Sequence, residues 1–188
     1  GQIGKFDYRL VVADPYTMST ADPKYNVATF SKNSPNKDFS GYFRYAFLDT
    51  ENISTPFNSG TYAGKKNVLS IGAGFDYIHD AMWHQDINKN TINDDMKNFA
   101  VDLFYDAPLN KEKGTSVSAY GTAMYNDYGP NYVRYVGPNT PATSVDASSA
   151  SLNGAGNAVQ VIGTGNTYYF KIGGTLHYLH PEKKNLTL

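Results

Sequence analysis

The sequence contains no cysteine, so it offers no disulfide framework, no thiolate nucleophile and no cysteine-ligated zinc. Charged residues make up only 18% of the 188, and they nearly balance at a formal net charge of -1. That balance gives no electrostatic support to a nucleic-acid partner. No run of 18 or more apolar residues occurs, which excludes a transmembrane helix. No segment pairs a helical period with capping residues. The opening GQIGKFDYRL is already strand-like and carries no signal peptide, so the chain is expected to begin inside folded structure. Enzyme signatures are missing as well. GAGFDY and GTGNTY lack the third glycine and following helix of a dinucleotide site, and no Gly-x-Ser-x-Gly elbow or Ser, His and acid set can be assembled. Neither catalysis nor a cofactor is expected.

What is abundant is tyrosine at 16, phenylalanine at 10 and glycine at 17. Aromatic residues favour strands. In NVLSIGAGFDYIHDAMW, Leu69, Ile71, Ala73, Phe75 and Tyr77 alternate with Ser70, Gly72, Gly74 and Asp76. This period of two marks a strand with one apolar and one polar face. KFDYRLVV, FSGYFRYAFLD, NFAVDLFYD, TSVSAYGTAMYN and YYFKIGGTLHYL repeat the pattern, giving six amphipathic strands. Each is near the about 9–11 residues that cross a bilayer at a tilt.

The connections alternate too. Long polar loops are expected at about 14–38, 79–96 and 127–157, with shorter turns at about 107–114 and 49–66. Lys65, Lys66, Lys111, Lys113, Lys183 and Lys184 collect at the shorter end. Long loops at one end and short turns at the other describe an antiparallel transmembrane β-barrel of the outer-membrane kind. The face opposite the apolar one mixes small residues with both charge signs, which suits a confined wet interior better than an open surface. A secreted or surface β-sandwich that binds ligands through its long loops is the alternative, as is a small non-conducting structural barrel with NVATF and AVQVIG as extra strands.

The strand phases assign candidate residues. Lys5, Asp7, Arg9, Arg44, Asp76, Asp102, Asp106 and Lys171 fall on the polar face and are expected to line the lumen. Their signs nearly cancel, so only weak ion selectivity is expected. Phe39, Tyr77, Trp83, Tyr105, Tyr125 and Tyr178 lie toward strand ends, where interfacial girdles place aromatics. Asp86, Asn88, Asn90 and Asp94 are spaced like the start of a calcium loop, but Thr91 stands where the turn glycine belongs and Lys97 where the bidentate Glu belongs. A solvated loop explains the same residues. His177 and His180 point to opposite faces, and His79 and His84 flank a loop without a zinc pattern.

The segments TPFNSGTYAGKKNVLSIGAGFDY and FAVDLFYDAPLNKEKGTSVSAYGTAMYNDYGPNY resemble porins of Bacteroidetes-type bacteria, related to the phosphate-selective porin superfamily. The likeness runs from about Gly4 to about Tyr178. It implies a bacterial outer-membrane location and passive diffusion of small hydrophilic solutes. The implied surroundings are outer-membrane lipid and lipopolysaccharide, with a homo-oligomer or a larger envelope complex as the assembly. Such barrels have about sixteen strands. Six strands in 188 residues is about 31 residues per strand, so this chain is expected to be an internal portion of a larger barrel.

Overall fold

The computed structural model describes residues 1–15, 22–32, 36–51, 60–137, 143–144, 146–150 and 154–176. Among them the chain forms the strands β1 (Gln2–Ile3), β2 (Phe6–Ala13), β3 (Thr29–Phe30), β4 (Asp38–Ala46), β5 (Val68–Gln85), β6 (Thr91–Asn110), β7 (Thr115–Asp127), β8 (Val133–Val136), β9 (Thr143–Ser144), β10 (Val159–Gly163) and β11 (Gly165–Thr175). Helix is confined to α1 (Ala147–Ala150) and one 3-10 turn (Ala155–Asn157). The protein is all-β, and its strand ladders are antiparallel.

The main sheet runs β1-β2-β4-β5-β6-β7-β11, with β3 added to β5. It is a meander, because each successive long strand pairs with the one before it. The path ends at β1 and β11, so among the described residues the sheet is open and does not close on itself.

Register keeps the apolar phase continuous across the sheet. Tyr8 pairs with Phe43, Phe43 with Ala73, Ala73 with Val101, Val101 with Ala123, and Ala123 with Tyr168. A one-residue slip anywhere would flip that strand to the other face. This apolar face is the exposed one: Leu10 is 63% exposed, Val101 55% and Phe170 71%. The opposite face carries the buried polar groups, among them Asp7, Arg44, Ser70, Asp106, Ser116 and Asn126.

One expected loop proves to be mostly strand. The segment 79–96 was expected as a polar loop, but β5 and β6 pair through most of it and only 86–90 turns. The ladder tolerates the polar residues because a register break between Ile78 and Met82, with Asp80 at φ 51°, re-aims the strand. The extra strands of the small-barrel alternative do not join the sheet edge. Thr29 and Phe30 pair with Trp83 and Met82 of β5, while β10 pairs with β8 in a separate sheet.

The apolar core sits at one end of the polar face. Ala28, Ile78, Ala81, Met82, Met96, Tyr128 and Tyr132 bury one another there, with Phe30 packed against them. The backbone N–H of Ala28 donates to the Pro130 carbonyl (2.8 Å), tying the segment before β3 to the one after β7. Among the described residues, no helix is long and apolar enough to cross a membrane.

Candidate functional site

Asp7 and Arg44 face each other across β2 and β4. The Arg44 guanidinium donates to Asp7 (3.3 Å) and to Glu51, and Arg9 donates to Asp7 (3.1 Å). Asp7 is 2% exposed, Arg44 5% and Glu51 5%. Glu51 also accepts from the Tyr62 hydroxyl (2.7 Å). Asp106, fully buried, accepts from the Thr61 hydroxyl (2.8 Å) and the Tyr62 N–H (3.1 Å). The connection between β4 and β5 is therefore clipped onto the polar face at two acids. Buried charges are tolerated when paired and hydrogen-bonded, as Asp7, Arg44 and Glu51 are, whereas Asp106 is held by the two hydrogen bonds alone.

One row higher, the Tyr42 hydroxyl lies 3.1 and 3.2 Å from the two carboxylate oxygens of Asp102. Gly72 stands between them in register, opposite Arg44 and Asp102. A Cβ on Gly72 would collide with the Tyr42 hydroxyl and lie 2.6 Å from Asp102 Oδ2, so only glycine leaves this contact room. Tyr42, Asp102, Phe104, Tyr120, Tyr169 and Lys171 wall a cavity of about 310 Å³ above this floor.

Toward the other end, Asn98 donates to Asp76 (3.4 Å), and Asp38 and Asp76 border a second cavity of about 320 Å³ under Tyr128, Tyr132 and Arg134. Burial pushes the hydroxyls of Tyr128 and Tyr132 up from the ordinary tyrosine range. Arg134, hydrogen-bonded to Tyr132, works in the opposite direction.

The sequence-predicted polar residues thus separate. Asp7, Arg9, Arg44 and Asp106 form the clipped lower layer, Asp102 and Lys171 border the first cavity, and Asp76 borders the second. Lys5 leaves the group: it sits beside the β1–β2 turn, where its ammonium donates to the Phe47 carbonyl (2.8 Å). Phe39 and Tyr77 pair on the apolar face, and Tyr105 and Tyr125 share that exposed face. Trp83 differs from its expected interfacial position. It is buried under β3, with the Lys32 ammonium 5.8 Å from the ring centroid, because the register break turns it inward. Tyr178, His177 and His180 lie outside the described residues.

The calcium-loop residues build a turn. Asp86 accepts from the N–H groups of Asn88 and Asn90 (both 2.8 Å) and from the Asn90 amide (3.0 Å), while Asp94 meets His84 (2.6 Å). The Asn90 side-chain amide, followed by its own N–H, holds the Asp86 carboxyl below the usual carboxylate range. Among the described residues His79, Asp80 and Asp95 offer three ligand atoms within 4.8 Å of one another. Asp95 is already engaged by His79 (2.7 Å), the Asp80 N–H (3.1 Å), the Tyr77 hydroxyl (3.3 Å) and Lys97 (3.4 Å).

Sequence reasoning about charge missed Tyr42, Tyr120 and Tyr169, although all three occupy the polar phase of their strands and so carried a signal. Glu51 lies outside every alternating segment and carried none.

No family model, no curated protein and no solved structure matches this chain.

Proposed function

We propose that the chain is part of an outer-membrane β-barrel through which small hydrophilic solutes diffuse passively. The observation that carries this reading is the inverted burial: charged groups are covered on one face while leucine, valine and phenylalanine stand exposed on the other, in phase across six long strands. In water such a face would be a docking or aggregation liability. Against lipid it is the ordinary outer surface of a barrel, with outer-membrane lipid and lipopolysaccharide as its surroundings. From Leu69 to Tyr77 the β5 row covers nine positions, close to the about 9–11 needed to cross. The polar face supplies the wet side, where aligned side chains lower the cost of crossing for a hydrated solute.

Closure of the barrel belongs to this proposal. Open edges do not persist in hydrocarbon, so the sheet's two ends, at the β1–β2 pair and at β11, need further strands beside them. A larger barrel of the Bacteroidetes porin kind, about sixteen strands, supplies them; the likeness in sequence motifs supports that assignment. A soluble sandwich is disfavoured because it would bury the Leu10, Val101 and Phe170 face and expose Asp7 and Arg44.

The test is extraction of the native polypeptide followed by gel mobility with and without boiling, then single-channel recording in a planar bilayer. Extraction only with detergent, a heat-dependent shift and stepwise conductance are the expected results. Recovery in plain buffer with unchanged mobility overturns the membrane reading, and a heat shift without conductance leaves a structural barrel.

A further inference from the structure

Resting on that reading, we propose that the 310 Å³ cavity on the polar face is a subsite for a neutral sugar ring.

The walls explain why. Arg44, although adjacent, is consumed by Asp7 and Glu51, so it offers no free cation to a phosphate or other anion. Asp102 takes the hydroxyl of Tyr42, and Lys171 forms no ion pair among the described residues. Beside the Arg44–Glu51 pair, which also lines the cavity, one further carboxylate and one ammonium therefore face it from different strands. Asp102 pairs with Thr122, which pairs with Tyr169, while Lys171 pairs with Tyr120, which pairs with Phe104. The two charges lie one pleat repeat apart along the strands and two strands apart across them, too far to neutralise each other by contact.

Between them stand aromatic rings. Tyr120 and Tyr169 have centroids 6.2 Å apart and planes inclined by 52°, and Phe104 is buried behind them. Tyrosine faces carry the negative side of the ring quadrupole. The axial C–H face of a pyranose is weakly positive and flat, so it rests on such rings, while its equatorial hydroxyls donate to a carboxylate and accept from an ammonium. A bare metal ion has no use for aromatic walls, and an anion meets the carboxylates of Asp102 and Glu51 in the lining. The volume falls at the lower end of the about 300–1,000 Å³ range of small-molecule clefts, which suits a solute of ring size. Binding here must stay weak, because a solute that passes through has to leave.

The test uses maltose as the probe on the full detergent-solubilised protein, with saturation-transfer NMR irradiating the aromatic protons. Transfer to the sugar ring C–H protons is expected. Tyr120→Leu is expected to weaken the interaction by about fivefold, one aromatic contact's worth, whereas Tyr120→Phe keeps the ring and keeps the transfer. Tyr8→Leu, on the opposite face, leaves it unchanged. Each variant is first shown to retain the wild-type heat-dependent mobility. No transfer, equal transfer from Tyr120→Leu and Tyr120→Phe, or displacement of maltose by glycine overturns the subsite, the last by identifying a zwitterion site. Conductance with no transfer leaves the diffusion channel standing and removes the sugar inference. Transfer without conductance does the reverse.

Discussion

Arg44 on β4 and Glu51, seven residues further along the chain, form an ion pair in which both side chains are almost wholly buried. The pair fixes the path of the connection to β5, since Tyr62 and Thr61 are held beside it by Glu51 and Asp106. Removing one partner strands the other charge. Arg44→Ala is expected to cost about 3–5 kcal/mol, read as a lower denaturant midpoint in detergent. Arg44→Met combined with Glu51→Gln and Asp7→Asn, which removes both carboxylates that Arg44 partners, is expected to recover most of that loss. Equal destabilisation by the single and the triple variant would mean that the site contributes through packing alone.

Phe43 sits mid-row on the exposed apolar face, with its ring 6.2 Å from that of Phe6 and 6.4 Å from that of Phe75. Under the proposed membrane reading, Phe43→Arg is expected to cost about 2–4 kcal/mol of insertion near the midplane. Thr122→Lys, on the polar face, is expected to assemble as well as wild type. The yield of heat-modifiable protein after refolding compares the two, and equal yields would sink the assignment of faces.

Gly72→Ala tests the clearance under Tyr42. Its methyl group displaces the tyrosine hydroxyl from Asp102, a movement of side-chain ends that costs about 1 kcal/mol through the lost hydrogen bond. The tyrosine hydroxyl resonance reports the displacement. Gly74→Ala is the milder control, because its nearest neighbours stand at 3.3 and 3.4 Å.

The turn at Asp86 is expected to loosen in acid. Its carboxyl titrates below the ordinary range in the folded protein, so the ionised form is favoured by folding. The contribution is complete above the ordinary carboxylate pKa of about 3.9 and fades as the pH falls through the lower folded value. Protection of the Asn88 and Asn90 amides, whose N–H groups it accepts, relative to intrinsic exchange at the same pH, is expected to fall over that interval. Asp86→Asn removes the pH dependence, and a profile unchanged by that substitution would exclude the carboxylate as its source.

Strand phase was the most legible property of the sequence. Every apolar set named from alternation, such as Tyr8, Phe43, Ala73 and Val101, occupies one continuous face, because side-chain period is a local property. Phase also placed Tyr42 and Tyr120 on the polar face before any contact was known. What escaped were features made by distant partners. Glu51 owes its burial to Arg44, and Trp83 owes its burial to β3 and to a register break that no alternating pattern announces. The continued pairing through 79–96 was hidden by Asp, Asn and His residues that read as a loop yet serve the ladder through His84–Asp94 and His79–Asp95.

The β5–β6 hairpin gains a further meaning from its length. Past Ile78 the two strands leave the rows shared with β4, and β5 continues to Gln85 with β6, the short β3 and the 24–26 segment beside it, the last bonded to Gln85. Those seven β5 positions include the register break and span five positions of β6, from Met96 to Thr91, so at about 3.3 Å per residue the ladder carries the 86–90 turn roughly 16 Å past the last shared row. The turn is closed by its own Asp86 hydrogen bonds and owes nothing to the sheet below. It is a mast among the described residues, a position where a grafted peptide would be displayed with little disturbance to the strands that carry it.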